Sequence, residues 1–368
     1  MYLTRLALQN FRNFADLLFH PEQGLNILIG RNAQGKTSLL EAVYLAATAR
    51  SWRAGRDSEM VKWKAESAHV EACVHREARN DIDIDIILSR NEKKQISINT
   101  IRQNRLSDVI GQVNVVLIEP HHEEIVRGEP GRRRRFLDLE ISQIQPRYCL
   151  LLSNYRRILD QRNRLLREME YRPSGSGVLQ VLNEQLASYG AEIIERRLAF
   201  VDRISSIARV IHSQITEGLE EMDVKYVSKI DISLPDIKES FQTRLQEIGS
   251  EEIRRGVTLV GPQRDDLVFT INGHDARTYA SQGQQRTIGL SLFLAEFEVM
   301  EEESKEPPIV LLDDVMTDLD EIRRAHIFEI TSGRCQAFLT APTKKSFDET
   351  LLSAGKIFIV EEGRVMEE

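Results

Sequence analysis

The chain is 368 residues long, with 49 Lys and Arg against 57 Asp and Glu and a net charge of −8. That balance excludes a non-specific polycation, so any nucleic-acid contact must use a local basic patch on an acidic background. The length supports a large core in two lobes; no apolar run approaches the roughly 18 residues of a membrane span, and the scattered Cys73, Cys149 and Cys335 match neither a disulfide framework nor a zinc spacing.

Met1–Arg5 lacks the basic-then-apolar order of a signal peptide. Sparse cysteines suit a reducing, cytoplasmic compartment. Residues 2–8 alternate as a strand, 10–14 turn, and 15–19 return. The apolar run 25–29 reads as a buried strand entering Gly30-Arg31-Asn32-Ala33-Gln34-Gly35-Lys36-Thr37, and a helical pattern begins at Ser38. Strand, G-x-x-x-x-G-K-[ST] and helix in that order form a P-loop. Its N–H groups and the helix N-terminus converge on phosphate, Lys36 reaches the β- and γ-phosphates, and Thr37 ligates Mg²⁺.

A basic loop follows, Arg50–Arg56 and then Lys62–Lys64, with Trp52 and Trp63 interleaved. Two readings stand: a phosphate-backbone contact, or a solvated loop with both tryptophans tucked beneath it. Residues 69–76, 81–89 and 94–99 read as antiparallel strands. Asp81, Asp83 and Asp85 alternate with isoleucines, as on a solvated sheet face whose side chains form a row and do not converge on a metal. A buried strand, 113–118, closes this section.

After Pro120 the pattern turns helical. Arg132–Arg135 open it, Arg147, Arg156, Arg157, Arg162, Arg164 and Arg167 follow, and a loop at 173–177 leads to a second long helix over 178–221. The pair makes an αα-hairpin or arm. Its arginines are either a basic patch or an ordinary charged helix face. A strand at 222–234, a helix at 240–255 and a short strand at 268–272 come next. A helix from Ser281 to about 303, a strand at 309–314, a helix from Leu319 and strands at 337–340 and 357–360 predict a parallel sheet shared with the P-loop strand.

Ile309–Asp314, four apolar residues and two carboxylates, form a Walker B element. Asp313 would hold Mg²⁺, and Asp314 would orient or deprotonate the attacking water. Ser281-Gln282-Gly283-Gln284-Gln285 caps a helix just upstream and resembles the signature of ABC-type ATPases. In those proteins the signature of one copy closes on the P-loop nucleotide of another, so Ser281, Gly283 and Gln284 join Gly30–Ser38 as ATP-binding candidates. Thr317-Asp318-Leu319-Asp320 looks like the D-loop.

The fold expected is α/β: an ABC-type ATPase head with a mixed P-loop sheet, an antiparallel β subdomain and a helical second lobe with a short arm. Residues 1–120 and 305–368 would form the first lobe, and 121–304 the second. The arm is too short for the coiled coils of chromosome-maintenance ATPases. Leu8–Phe14, the P-loop with Leu39–Ala42, Gly128–Asp138, Gly261–Leu267, Ser281–Arg286 and Leu311–Val315 together resemble the RecF family of bacterial recombination mediators, across essentially the whole chain.

That resemblance implies an ATP-dependent homodimer that uses ATP and Mg²⁺. It implies binding to single- and double-stranded DNA and gapped junctions, and loading of recombinase with RecO- and RecR-type partners. Its setting would be DNA replication, repair of DNA damage and the SOS response, with weak DNA-dependent ATP hydrolysis as a switch. The DNA-facing candidates are Arg53, Arg56, Arg132, Arg133, Arg156 and Arg157; the Arg132–Arg135 run lines the DNA face or holds the lobes together. Departures exist. His121 follows Pro120 where the family has an acid, Thr317-Asp318 replaces Ser-Glu, and no histidine follows 337–340. This leaves Thr340 or Thr343 on the γ-phosphate side and Gln112 as the Q-loop candidate. Two other readings are an ABC subunit docked on a membrane permease, and an SMC-like tether whose DNA binding ignores ATP.

Overall fold

The computed structural model describes residues 1–77, 79–171, 176–316, 319–347 and 349–368. In chain order its strands are β1 Tyr2–Phe11, β2 Phe14–Phe19, β3 Leu25–Ile29, β4 Ser67–His75, β5 Ile82–Ser89, β6 Gln95–Ile98, β7 Ile101–Gln103, β8 Val115–Ile118, β9 Met222–Val227, β10 Asp266–Ile271, β11 His274–Asp275, β12 Ile309–Leu312, β13 Ala337–Ala341, β14 Gly355–Glu361 and β15 Arg364–Glu367. The helices are α1 Lys36–Thr48, α2 Glu124–Arg127, α3 Pro130–Ile144, α4 Pro146–Tyr171, α5 Ser176–Ile215, α6 Ile237–Glu247, α7 Gly249–Arg255, α8 Ala276–Tyr279, α9 Gln282–Ser304, α10 Glu321–Thr331 and α11 Glu349–Ala354.

The P-loop sheet has the order β15-β14-β3-β13-β12-β8. From β14 to β8 it is parallel, and only β15 is antiparallel. β3, β8, β12 and β13 are buried at every position, as strands covered on both faces must be. One face carries α1 and the antiparallel sheet; the other carries α9, α10 and α11. β8 departs from the predicted role of 113–118. It does not close the antiparallel section but pairs with β12 in the P-loop sheet, Val115 beside Ile309. Its unbroken apolar run suits a strand buried on both faces and not a half-solvated one.

The antiparallel sheet runs β2-β1-β4-β5-β6-β7. Ile82, Ile84 and Ile86 point into the core, while Asp85 meets His69 across the strand at 2.6 Å and Asp81 meets His75 at 2.8 Å. No group of metal-ligating side chains occurs among the described residues.

α3, α4 and α5 pack around one apolar core with the small sheet β11-β10-β9. α3 and α4 are separate helices, broken at Gln145–Pro146 because proline has no N–H to continue the ladder. The predicted strand 222–234 stops at Val227, where a polar stretch containing Ser228, Asp231, Ser233 and Pro235 begins. The predicted helix 240–255 divides at Ile248 into α6 and α7. α9 lies between two cores: Ile288, Leu292, Ala295 and Val299 face the helices, while Leu290, Leu294, Phe297 and Met300 face the P-loop sheet.

Candidate functional site

β3, β12 and β13 are neighbours, so their carboxyl ends deliver three functional segments to one edge of the sheet. The P-loop leaves β3 at Gly30, where an added Cβ would sit 2.2 Å from the Val360 carbonyl oxygen. Gly35 has φ +121, and a Cβ there would lie 2.6 Å from the Asn13 amide, so the turn demands glycine. Asn13 Nδ2 donates to the Gln34 carbonyl at 2.7 Å, and Gln34 Oε1 accepts from Glu362 N–H, also at 2.7 Å. Arg31, Asn32 and Ala33 are exposed at the tip.

Lys36 is buried, and its Nζ donates to the Gly30 and Arg31 carbonyls at 2.5 and 3.1 Å. Burial lowers its pKa, against the opposing pull of Asp314 and then Asp313. Thr37 Oγ1 donates to Asp313 Oδ1 at 2.9 Å. Thr340 Oγ1 donates to the same oxygen at 2.9 Å and accepts from the Asp314 N–H at 2.8 Å. Asp314 itself takes a left-handed φ of 51 just past the strand. The Thr37 hydroxyl and Asp313 carboxylate form an all-oxygen donor pair that suits a hard cation such as Mg²⁺. Ser38 joins Lys36, Thr37, Asp313, Asp314 and Thr340 in lining a cavity of about 690 Å³.

Other lining residues were not expected from the sequence. Arg12 reaches the mouth of the cavity, its guanidinium clamped on the fully buried Glu41 of α1 at 2.7 and 2.5 Å and on the Glu59 carbonyl at 2.8 Å. Trp63 stands beside it, 89% exposed. It is not tucked under its loop, whereas Trp52 is half-buried edge-on to Tyr44 at 5.0 Å. The only sequence signal for Arg12 was its place in the Leu8–Phe14 motif. Of the two threonines, only Thr340 lines the cavity; Thr343 precedes a short helical turn. Gln112 also falls outside, its side chain accepting from Arg76 Nη1 at 3.2 Å; Pro120, past the end of β8, is the residue that reaches the cavity.

Ser281, Gly283 and Gln284 do not line the cavity of their own chain. Ser281 caps α9 in a capping box: its Oγ accepts from Gln284 N–H at 3.2 Å, and Gln284 Oε1 accepts from Ser281 N–H at 2.8 Å. Gln284 Nε2 is also held, by Glu220 at 2.9 Å, so Ser281 and Gly283 form the exposed part of the motif. Asp320 caps α10, and Arg323 reaches from there to Thr287 Oγ1 at 2.5 Å. Thr317 and Asp318 of the expected D-loop lie outside the described residues.

The arginines divide by burial. Arg53, Arg56, Arg132, Arg156 and Arg157 are exposed. Arg132 lies 3.9 Å from Glu119, and Arg156 lies 3.6 Å from Asp138. Arg133 corrects the expectation of a DNA contact. Its side chain is 2% exposed, bidentate to Asp266 at 2.7 and 2.9 Å, and donates to the Gly128 carbonyl at 2.8 Å. It ties α3 to β10. Arg162 is likewise sealed against Glu252 at 2.6 Å.

A P-loop, a Walker B strand one strand away in the same sheet and an exposed serine–glycine helix cap define an ABC-type ATPase head. A family model described as the RecF/RecN/SMC N terminal domain matches residues 2–365. Proteins described as DNA replication and repair protein RecF are similar over their full length: one from Halothermothrix orenii is 42% identical, covering 99% of this chain and 98% of its own, and one from Bacillus subtilis is 40% identical over all of both. The chain belongs to the RecF family. A solved RecF–ATP structure, described as a recombination mediator of the RecFOR pathway, superposes with a TM-score of 0.93 at 32% identity, covering 100% of this chain and 97% of that one. An Smc head, at TM-score 0.58 and 14% identity, shares the fold. This membership sets aside the permease-docking subunit, and no described helix is long and apolar enough to cross a membrane.

Proposed function

We propose that the protein is an ATP-dependent DNA-binding protein of recombinational repair. It binds ATP at Gly30–Ser38, dimerises around two nucleotides on gapped or duplex DNA, and helps load recombinase with RecO- and RecR-type partners in the cytoplasm. The observation that carries this reading is the meeting of Thr37, Asp313 and Thr340 oxygens beneath a P-loop whose serine–glycine complement faces away from it. Two copies are needed to bring that complement to the phosphates. The working lobes would be 1–120 with 305–368, and 121–304.

In the proposed reaction Lys36 leaves the Gly30 and Arg31 carbonyls for the β- and γ-phosphate oxygens. Thr37 and Asp313 hold Mg²⁺, which when bound neutralises charge on the phosphates. Asp314 orients the attacking water, and Thr340 keeps the Asp313–Asp314 backbone in place. Trp63 offers an open aromatic face to the base at the cavity mouth. Hydrolysis reopens the dimer, so slow, DNA-dependent turnover times residence on DNA.

The test uses full-length protein with ATP and gapped duplex. Binding to DNA should tighten when ATP is added, and this gain should vanish in Lys36→Arg. DNA affinity that ignores ATP would support the tether reading instead. With only two tryptophans in the chain, Trp63→Phe isolates the base contact: nucleotide-induced quenching of fluorescence should disappear while that of Trp52 persists.

A further inference from the structure

A second cavity, about 890 Å³, opens between α1 and β8 of the P-loop side and α3, α4 and α9 of the helical side. It shares no lining residue with the nucleotide cavity. Its lining changes character with depth. Arg50, Arg105, Arg135 and Arg157 are exposed and belong to it, and none forms an ion pair among the described residues. The lining carboxylates Glu119 and Asp138 are met by Arg132 and Arg156, so four guanidinium groups without an ion pair around one opening mark a place that can receive an anion.

Below them the walls are aromatic. Tyr44 and Trp52 meet edge to face at 5.0 Å, and Phe136 and Phe293 do so at 6.1 Å. The buried lining is acidic. Glu140 of α3 and Glu296 of α9 are 5% and 2% exposed and hydrogen-bond to each other. Glu140 Oε2 also accepts from Gln143 Nε2 at 2.7 Å. Apart from that bond to Glu140, Glu296 has no hydrogen-bond partner for its buried Oε2 among the described residues. A buried carboxyl oxygen left unsatisfied is costly, and a donor brought by a ligand would meet it.

Anion at the rim, flat ring in the middle and hydrogen-bond donor at the deep end describe a nucleotide. An acidic peptide fits the rim, but the apolar side chain it would insert leaves Glu296 Oε2 unmet. We propose that this interlobe cleft is a second nucleotide-recognition site, taking a phosphorylated unit whose base carries an exocyclic amine: phosphate on Arg50, Arg105 and Arg135, base between the aromatic walls, and amine donating to Glu296. Two sources share this chemistry, a free nucleotide and an unpaired nucleotide of gapped DNA. The site stands apart from the ATP reading. A base held there would wedge between α1 and α9, the helices that carry the P-loop and the signature.

The experiment titrates full-length protein, its P-loop filled with a non-hydrolysable ATP analogue, with 2-aminopurine deoxynucleotide and separately with a duplex carrying one 2-aminopurine in its gap. Fluorescence should change on binding in at least one arm, and the responding arm names the source. In competition, dAMP should outcompete the deoxynucleotide of unsubstituted purine, which lacks the exocyclic amine, by about tenfold, the cost of leaving one buried acceptor unmet. Arg105→Glu with Arg135→Glu should weaken binding at least about tenfold, since both side chains are exposed and their reversal leaves packing intact. Glu296→Leu should erase the dAMP preference without weakening the unsubstituted purine deoxynucleotide. No response in either arm overturns the proposal. So does a response indifferent to the rim variants, or an acidic peptide or inorganic phosphate that competes as well as dAMP. Failure to bind the ATP analogue would instead count against the P-loop reading.

Discussion

Lys36 and Gly35 show how little room the P-loop has. The lysine ammonium already bridges two loop carbonyls in a buried slot, where a longer, planar guanidinium does not fit. Lys36→Arg is therefore expected to cut ATP turnover about 100-fold or more, as loss of a phosphate-aligned charge does; steady-state phosphate release measures it. Gly35→Ala would press a methyl into Asn13 at a φ that side chains avoid, and nucleotide affinity should fall with it. These two residues were legible because their motif is local. Thr340 was one of two threonine candidates, and the fold selects it over Thr343. Arg12 and Trp63 were not legible as cavity residues, since they reach it from a turn and a loop that only the folded sheet brings together. Arg133 misled for the same reason: four consecutive arginines look alike in sequence, but on a helix only one of them points at Asp266.

At the scale of elements, the Arg133–Asp266 pair fixes α3 on β10. Removing one partner leaves the other charge uncompensated, and Arg133→Ala should cost about 3 kcal/mol in urea unfolding. By contrast, charge reversal at exposed Arg156 and Arg157 should spare stability. It should lower DNA affinity and reduce the salt slope by about 2, one per lost phosphate contact.

The contact of α3 with α9 carries its own pH signature. Burial raises Glu140 and Glu296 above the ordinary carboxylate value of 4.5, and the Glu140 charge raises Glu296 further, with Tyr44 the nearby phenol. A carboxyl pair whose folded pKa values are raised stabilises fully below the unfolded pKa and loses that contribution as pH rises through the folded values. Melting temperature should thus decline between about pH 5 and pH 8, and Glu140→Gln should flatten the decline. Periodicity located these helices. It did not show the break at Pro146 as an end of α3, nor β8 as a P-loop strand, because pairing partners distant in sequence decide both.

For the whole molecule, the ATPase head could be read from the order of P-loop, signature and Walker B. What could not be read is how one helix, α9, serves two cores. It contacts the P-loop sheet through Leu290, Leu294, Phe297 and Met300 while presenting Ser281 and Gly283 to solvent. In the proposed dimer, a rigid element that joins the nucleotide sheet to the exposed cap would let each copy sense the other's nucleotide. The most direct test is the solution mass of Asp314→Asn by light scattering, with ATP, a variant in which the proposed role of Asp314 predicts that binding is retained and hydrolysis is blocked. A mass of twice the 42.2 kDa chain is the predicted result; an ATP-bound protein that remains at the monomer mass would contradict it.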